Sequence, residues 1–386
     1  MLELSTVWRF ERLIIRYITA EKRYRKDDEM ENRRTFIGKA ALTGIAGIMA
    51  TKTAPSFAQS MGSIKVGQLG LGSHNFLGRL LSPPDDMKDK VKCRPYAVWD
   101  DAPGVAEKLK QTQRFEKVIS DPVQLAKESD AVHVEHADYR RALELARPAL
   151  EMGKPVFINR PFTSTITDAE ETVRLARAYN APLMSASSLE FQPEVTEMQV
   201  FAREKGPVRA YEAYCPEQHF TWMFPHVFNY AHAAFGGGIE SAYFTGTYNM
   251  DLGKWIDENK PFGTSLCILT WKSRDGQPPM VGMNHIGNYP GSFHINAYAV
   301  GENRTFTAGP KLFDYMFRTL HDFYVERKIP RPYEAILEQH RALSAANVSR
   351  LTGSAVSLDS LGGDDAVPYS EDIRWWVVRN FLKAPK

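Results

Sequence analysis

Apolar positions between residues 64 and 186 fall into short β-rich runs separated by amphipathic segments of helical length. The short runs predict strands at 64–69, 93–99, 130–134, 154–158 and 182–186. The segments between them predict helices at 76–81, 103–112, 139–152 and 167–179. Strands and helices that alternate at this spacing predict an α/β domain with a doubly wound parallel sheet.

From about residue 190 the pattern changes to strand-like runs that follow one another without intervening helices. The predicted strands are 208–214, 239–248, 264–272, 280–286, 294–301 and 304–306, and several are separated by turn residues. Helices are predicted at 312–326 and 333–351. The second half is therefore predicted to be an α+β domain with a large, mostly antiparallel open sheet.

Charge and composition separate the first 58 residues from the rest. They hold 11 Lys/Arg and 7 Asp/Glu, whereas the remainder holds 37 basic and 39 acidic residues, so the net charge of +2 comes from the leader. The body has no cationic surplus and no nucleic-acid motif, which argues against a nucleic-acid partner. The 43% hydrophobic and 24% charged residues are typical of a soluble globular protein.

Residues 32–58 have the organisation of an export signal. Arg33 and Arg34 precede an apolar run at 40–50, and small residues follow as far as Ala58. The run is about half the ~20 residues that a membrane-spanning helix needs, which predicts a signal rather than a stable anchor. The twin arginines resemble a Tat signal, which predicts export of the folded protein to the periplasm or beyond.

A signal of this kind normally begins a chain, so we expect the functional start at Met30. Residues 1–29 are then an upstream extension or a misassigned start, the alternative being a genuine amphipathic amino-terminal helix. The expected domains are a signal peptide at 30–58, an α/β domain at 59–187, an α+β domain for substrate binding and oligomerisation at 188–361, and a tail at 362–386. The tail is expected to pack back on the body.

The cysteines of the sequence argue against a disulfide framework and against a zinc site. Cys93, Cys215 and Cys267 have no paired spacing, and no C-x-x-C motif is present. An odd, unpaired set is a poor disulfide framework and a poor zinc site, so buried free thiols are predicted.

A glycine-rich turn follows the first predicted strand. Gly70 and Gly72 allow a tight turn and a close approach of the backbone to a pyrophosphate, although Asn75 stands where a third glycine or alanine is usual. Asp100 ends the second predicted strand, where a carboxylate can accept hydrogen bonds from an adenosine ribose. Asp101 follows where a 2′-phosphate would need a cation, which favours NAD over NADP. These features predict a Rossmann-type dinucleotide-binding domain.

The predicted strand at 154–158 runs into Asn159, Arg160 and Pro161. This run resembles the strand of the Gfo/Idh/MocA sugar oxidoreductases that ends in Glu-Lys-Pro, and the resemblance spans about Ile64 to Leu358. Asn159 takes the place of the family's glutamate and Arg160 that of its catalytic lysine. The resemblance implies that Pro161 forms a cis-like bend that directs the neighbouring side chain toward the nicotinamide.

The family's second hallmark is Asp-x-x-x-His at the opening of a helix that closes about ten residues later at a glycine. Counting back from Gly236 places the histidine at His226. Trp222 then occupies the position of the aspartate, and Asn229 that of a residue that is often aspartate. By this resemblance His226 is the catalytic histidine.

The resemblance implies an NAD-dependent reaction in which His226 is the acid/base. Arg160 is expected to orient substrate or to act beside the nicotinamide, because a guanidinium with a pKa above ~12 cannot be a general base, whereas an imidazole can. The expected cofactor-binding residues are Gly70, Gly72, Ser73, His74, Asn75, Asp100, His136, Asn159 and Pro161. The expected substrate-side residues are Trp222, Asn229 and Tyr230.

Plainer interpretations of these residues stay open. His226 can be a packing histidine at a helix start, and Arg160 a surface or ion-pair arginine. A metal site built on His219 and His226, with Glu217, His232 and His294 as further ligands, requires a continuous helix that Pro225 argues against, so no metal is predicted.

Three hypotheses for function follow. The first is an oxidoreductase acting on a sugar or cyclic polyol in the cell envelope, with tightly held, recycled NAD. The second is a redox-neutral, NAD-assisted lyase or glycosidase. The third is a degenerate family member that binds carbohydrate or nucleotide without turnover. The expected partners are a carbohydrate substrate, the Tat machinery and further copies of the chain, since the family's exposed sheet commonly pairs between subunits.

Overall fold

A computed structural model describes residues 63–72, 77, 83–217, 219–249, 254–256, 264–273, 279–287, 291–369 and 371–383. The predicted export signal lies outside the described residues. So does the predicted helix at 76–81, apart from Leu77, which is buried.

The first sheet is parallel and six-stranded in the part of the chain that the structure describes. Its strands are β1 (Ile64–Leu69), β2 (Cys93–Trp99), β3 (Lys117–Val118), β4 (Ala131–Val134), β5 (Val156–Ile158) and β6 (Leu183–Met184). The spatial order is β3-β2-β1-β4-β5-β6, so the direction of winding reverses between β1 and β4. This confirms the predicted doubly wound fold.

Helices connect these strands. They are α1 (Val105–Gln113), α2 (Pro122–Glu128), α3 (Ala142–Glu151) and α4 (Ile166–Ala178). Asp121 caps α2 by accepting from the amide of Val123, and Thr165 caps α4 by accepting from the amide of Asp168. The sequence prediction missed β3 and α2, because two strand residues and two helical turns are too short to show a period.

The second sheet is mostly antiparallel, as predicted. Its strands are β7 (Val208–Cys215), β8 (Ile239–Asn249), β9 (Lys254–Ile256), β10 (Thr264–Trp271), β11 (Met280–Gly287), β12 (His294–Ala299), β13 (Glu302–Thr307) and β14 (Val356–Ser357). The order is β13-β12-β7-β11-β10-β8-β14, with β9 paired to β8. The pairing of β7 with β11 is parallel, and the other pairs of this sheet are antiparallel.

Helices cover one face of this sheet. They are α6 (Phe220–Phe235) and α8 (Tyr333–Thr352), which pack on its strands, and α5 (Pro193–Glu204), which packs on α6. Alternate residues of β7, namely Tyr211, Ala213 and Cys215, are fully buried beneath them. The helix α7 (Leu312–Glu326) packs instead against β1 and β2 of the first sheet. The sequence prediction missed α5.

The helix α6 continues through Pro225, which corrects the expectation that this proline interrupts it. Proline removes one backbone hydrogen bond of the helix. Phe224 and Phe228 on either side are fully buried in the core beneath the sheet. Their burial offsets the lost bond, since tertiary packing supplies most of the stability of a helix in a protein.

The tail packs back on the body, as expected. Its helix, α9 (Glu371–Lys383), buries Val377, Val378 and Phe381 in the same core cluster as Val105 and Leu109 of α1.

Two further expectations concern the whole described chain. Cys93, Cys215 and Cys267 are buried free thiols, as predicted. Within the described ranges, no helix combines the length and apolarity needed to cross a membrane.

Candidate functional site

The candidate residues gather at the carboxyl edge of the parallel sheet. Gly70 follows β1, Asp100 follows β2, Glu135 follows β4 and Asn159 follows β5. In open parallel sheets the crevice at this edge, where the strand order reverses, is where ligands bind. The topology therefore brings the predicted nucleotide residues and the predicted catalytic residues to one edge of the sheet.

The turn after β1 requires its two glycines. Gly70 has a φ of +88°, and a Cβ there would lie 2.6 Å from the Cα of His136. A Cβ on Gly72 would collide with the carbonyl oxygen of Glu135. These close approaches agree with the predicted turn, whereas Ser73, His74 and Asn75 lie outside the described residues.

Asp100 lies beside this turn, as predicted, and its side chain is fully buried. One carboxylate oxygen accepts from the amide of Leu71 at 2.8 Å, and the other accepts from the amide of Ala102 at 2.7 Å. Arg374 of α9 donates to that second oxygen at 2.5 Å. Burial raises the pKa of Asp100, while the charge of Arg374 opposes the rise.

Asp101 and His136 form a second part of this region. The Nε2 of His136 lies 3.2 Å from an Asp101 carboxylate oxygen, and Arg141 donates to the other oxygen at 2.7 Å. Arg374 also donates to Asp101, at 2.6 Å. Hydrogen bonding to His136 is the largest cause that lowers the pKa of Asp101, and burial opposes it. His136 thus lies in the predicted nucleotide region, with its ring stacked near Trp99.

Arg160 is buried, which shows that the alternative of a surface arginine is wrong. Its guanidinium donates from Nη1 to the Oδ1 of Asn159 at 3.3 Å and from Nη2 to the Nε2 of His226. The Arg160–Pro161 peptide bond is cis, as expected. Burial lowers the pKa of Arg160 to about 10, with the charge of Glu135 the largest opposing cause, so the group stays cationic at neutral pH.

The contact with Arg160 determines the protonation of His226. A guanidinium offers only donors, so the Nε2 of His226 must be the acceptor and its ring must be neutral in this arrangement. The ring proton then lies on Nδ1, which donates to the Oγ of Ser187 at 2.8 Å. Ser187 therefore provides the contact that orients the ring of His226.

A buried chain of hydrogen bonds continues behind Arg160. Asn159 donates from Nδ2 to the Oε1 of Glu135 at 2.7 Å. His133 lies 2.7 Å from the Oε2 of the same carboxylate and 2.6 Å from the hydroxyl of Tyr324. The carboxylate of Glu135 thus connects Asn159 to His133, and His133 connects it to Tyr324.

Glu190 holds the helical side of the site together. Its buried carboxylate accepts from the amide of Ser187 at 2.7 Å, from the Nδ2 of Asn229 at 2.8 Å and from Arg331. Asn229 was predicted to be a substrate-side residue. In the structure its side-chain amide donates to Glu190, and this hydrogen bond links α6 to the segment after β6.

The other two predicted substrate residues lie in different surroundings. Trp222 is partly buried and stacks on the ring of His219, with ring centroids 4.5 Å apart. Tyr230 is buried, and its hydroxyl lies close enough to Glu194 and Glu197 of α5 for their charges to raise its pKa, although burial is the larger cause. Tyr230 therefore faces α5 rather than Arg160.

The histidines considered for a metal site do not gather as one group. His226 contacts Arg160 and Ser187, whereas the Nδ1 of His219 accepts from the amide of Trp222 at 3.3 Å as a helix cap. In the part of the chain that the structure describes, the group with ligand atoms close enough for a metal is Asp100, Asp101 and His136. The guanidinium of Arg374 already contacts both of those carboxylates.

Sequence reasoning missed three residues of the site. Glu135 directly follows a predicted strand, so the rule that functional residues lie at the carboxyl ends of parallel strands could have found it. Ser187 and Glu190 form a capping box, since Ser187 accepts from the amide of Leu189 and Glu190 accepts from the amide of Ser187. That motif indicates a helix start, not a catalytic neighbour.

The carboxylate of Glu135 gives a test of the buried chain. The substitution Glu135→Gln places an amide NH₂ against the donors of His133 or Asn159, so we expect the free energy of unfolding to fall by about 1–3 kcal/mol in urea titrations. Glu144→Gln is the control, because that side chain is 60% exposed and paired with Arg141. Its effect should be below about 1 kcal/mol. Equal effects of the two substitutions would contradict the assigned contacts.

Comparisons with known proteins bear on the first domain and on the fold. Residues 64–187 match the model of the Gfo/Idh/MocA oxidoreductase family with its NAD-binding Rossmann fold. No curated protein matches the chain.

Solved structures share the fold at low sequence identity. Myo-inositol dehydrogenase from Lactobacillus casei, in complex with NAD(H) and myo-inositol, is 14% identical with a TM-score of 0.65 and covers 78% of this chain and 98% of its own. Apo scyllo-inositol dehydrogenase from the same species is 14% identical with a TM-score of 0.63, and the match covers 78% of this chain and 100% of that structure's chain. A probable dehydrogenase from Thermotoga maritima is 15% identical with a TM-score of 0.62, and the match covers 78% of this chain and 100% of that structure's chain. Residues 64–187 thus match the NAD-binding Rossmann domain of the Gfo/Idh/MocA oxidoreductases, and the described chain shares its two-domain fold with these solved structures.

Proposed function

We propose that this protein is an NAD-dependent oxidoreductase of the Gfo/Idh/MocA type that acts on a sugar or cyclic polyol. The observation that carries the proposal is the buried pair of Arg160 and His226 at the carboxyl edge of the sheet, beside a glycine turn that matches the family's nucleotide domain. The solved inositol dehydrogenases with the same fold support a polyol as substrate.

His226 is the acid/base of the proposed reaction. Its Nε2 is the accepting atom, and the proton of a substrate hydroxyl transfers to it while Nδ1 stays bonded to Ser187. Because Arg160 now donates to this Nε2, its guanidinium must move onto a substrate oxygen when the hydroxyl approaches. Arg160 then orients the substrate and stabilises negative charge on that oxygen, without exchanging a proton itself.

A dinucleotide would lie along the carboxyl edge of the parallel sheet, and its ribose would have to displace Arg374 from Asp100. The turn that contains Gly70 and Gly72 would lie beside the pyrophosphate, and Asp100 would hold the adenosine ribose. Asn159 and the Arg160–Pro161 peptide would lie at the nicotinamide end. When bound, the nicotinamide accepts or returns the hydride of the carbon that carries the reacting hydroxyl.

Two contacts favour a second candidate, a protein that binds carbohydrate or nucleotide without turnover. The Nε2 of His226, which would accept the substrate proton, is already hydrogen-bonded to Arg160, a cation that cannot accept a proton. The carboxylate of Asp100, which would bind the ribose, is already paired with Arg374. In this alternative Arg160 keeps its contact with His226 after ligand binding. Turnover of a sugar therefore separates the two candidates.

The proposal includes export through the Tat pathway to the cell envelope, on the basis of the twin arginines before the apolar run. Tat exports folded proteins, so the nucleotide would leave the cytoplasm already bound. Outside the cytoplasm there is no free pool of NAD to exchange with. The nucleotide would therefore be recycled within each turnover, either with a second substrate or in a redox-neutral elimination or glycoside cleavage.

Retention of nucleotide is the first test. Mass spectrometry of the heat-denatured protein, purified in its native state, should detect released NAD, and calorimetry of nucleotide-free protein should detect NAD binding. The absence of both signals would contradict the proposal. Comparison with NADP in the same calorimetric experiment tests the expected preference for NAD.

Loss of the imidazole is the second test. A screen of sugars and cyclic polyols at the absorbance band of reduced nicotinamide should reveal turnover, and His226→Gln should reduce its rate by about 10²–10⁴-fold through loss of proton transfer. His294→Gln is the matched control, because that histidine begins β12 of the second sheet and stacks on Tyr214 of β7. Full activity of the His226 variant would show that the assignment of the base is wrong.

Replacement of both Arg33 and Arg34 by lysine tests the export route. Recognition of a Tat signal depends on the arginine pair, so the substituted protein should accumulate in the cytoplasm in cell fractionation. A variant that changes Lys39 to arginine keeps the charge and should still be exported. Unchanged export of the double-lysine variant would refute the Tat route.

A further inference from the structure

The carboxyl-terminal helix α9 lies against the predicted adenosine end of the crevice. Its buried residues Val377, Val378 and Phe381 pack on α1, the helix that follows Asp100 and Asp101. Lys108 of α1 donates to the backbone carbonyl of Leu382 at 3.1 Å. The apolar contacts and this hydrogen bond fix α9 beside the two carboxylates.

Arg374 extends from α9 into the ribose region of the crevice. Its Nη2 donates to Asp100 at 2.5 Å and to Asp101 at 2.6 Å, and its Nη1 donates to the carbonyl of Leu71 at 3.3 Å. The side chain is 5% exposed, which leaves it closed off from water. One guanidinium therefore joins the end of β2 to the turn after β1, where the two halves of a ribose-pyrophosphate unit would lie.

Three donors already contact the buried carboxylate of Asp100. Its two oxygens accept from two backbone amides and from Arg374, and its side chain has no exposed surface. A ribose diol binds such a carboxylate by donating its hydroxyl hydrogens to the oxygens. The two amides are part of the fold, so Arg374 is the partner that a ribose would have to replace.

The same helix also reaches the other side of the crevice. Trp376 lies 6.2 Å, between ring centroids, from Trp222, which is in the first turn of α6 and four residues before His226. The helix α9 therefore contacts both Asp100 and Asp101 and the helix α6, which carries His226. A movement of α9 away from the two carboxylates would also change its contact with α6.

We propose that α9 is an intramolecular competitor of the nucleotide, in which Arg374 occupies the ribose subsite until a nucleotide displaces it. The proposal rests on the proposed function for the identity of the ligand. It assigns to Arg374 the control of affinity at the adenosine end, and it requires α9 to loosen from the Rossmann domain when a nucleotide binds.

The substitution Arg374→Gln tests the competition in the full-length chain. Glutamine removes the cation and its paired donors, so the affinities for NAD and for ADP-ribose in calorimetry should both rise by about tenfold or more. Arg379→Gln is the matched control, because it makes the same change on an exposed position of the same helix. Its affinities should equal those of the unsubstituted protein.

Hydrogen–deuterium exchange of the unsubstituted protein gives a second measurement that does not depend on the folding of a variant. The amides of residues 371–383 should exchange faster when NAD is added. Unchanged or slower exchange with NAD bound, or NAD and ADP-ribose affinities that are equal or weaker in the Arg374 variant, would overturn the competition.

The two ligands distinguish this failure from failure of the proposed function. If NAD binds equally well to all variants, the competition is wrong and nucleotide binding stands. If ADP-ribose binding tightens in the Arg374 variant but no sugar is oxidised, the competition stands and the oxidoreductase is wrong. If neither ligand binds any variant, both proposals are wrong.

Discussion

A guanidinium closed off from water at the end of β5 imposes a requirement on the rest of the site. Burying a charge is costly unless acceptors and counter-charges surround it. Arg160 meets this requirement with Asn159 and His226 as acceptors and with the buried carboxylates of Glu135 and Glu190 nearby. Each of these partners comes from a different part of the chain, so the one cation links the parallel sheet to the helical layer of the second domain.

The same cation restricts the chemistry at His226. A lysine at this position could share a proton with the histidine, but arginine only donates hydrogen bonds. In the proposed reaction, proton transfer then belongs to His226, whose ring is held by Ser187 on one side and Arg160 on the other. A substrate oxygen that draws Arg160 away would release the accepting nitrogen at the moment when the hydroxyl arrives. Substrate binding and activation of the base are then one event.

Arg374 plays a comparable part at the other end of the crevice. Two adjacent carboxylates, Asp100 and Asp101, would repel each other if both were charged and unpaired. The guanidinium of Arg374 pairs with both, while Arg141 and His136 contact Asp101 from the other side. At each end of the proposed ligand site an arginine thus contacts the group that the ligand would need. In this state both ends of the crevice are satisfied by the protein itself.

The sequence by itself determined the order of the elements, the two sheet types and the residues that end the strands. Strand and helix periods are local properties, which is why Gly70, Asp100 and Asn159 could be placed at one edge before any contact was known. Short elements such as β3 and α2 lack a period and were missed. Pro225 misled the prediction because burial of its neighbours, a tertiary effect, outweighs a local cost of one hydrogen bond.

Only the tertiary structure decided which side chains meet. The pairs Arg160–His226 and Arg374–Asp100 join residues 66 and 274 positions apart in the chain. No periodicity connects such distant positions, and each pairing exists because packing removes water and leaves the charged group with a single set of partners. The sequence therefore determined which groups stand at the ends of the strands, and the fold decided which of those groups are already bound to one another.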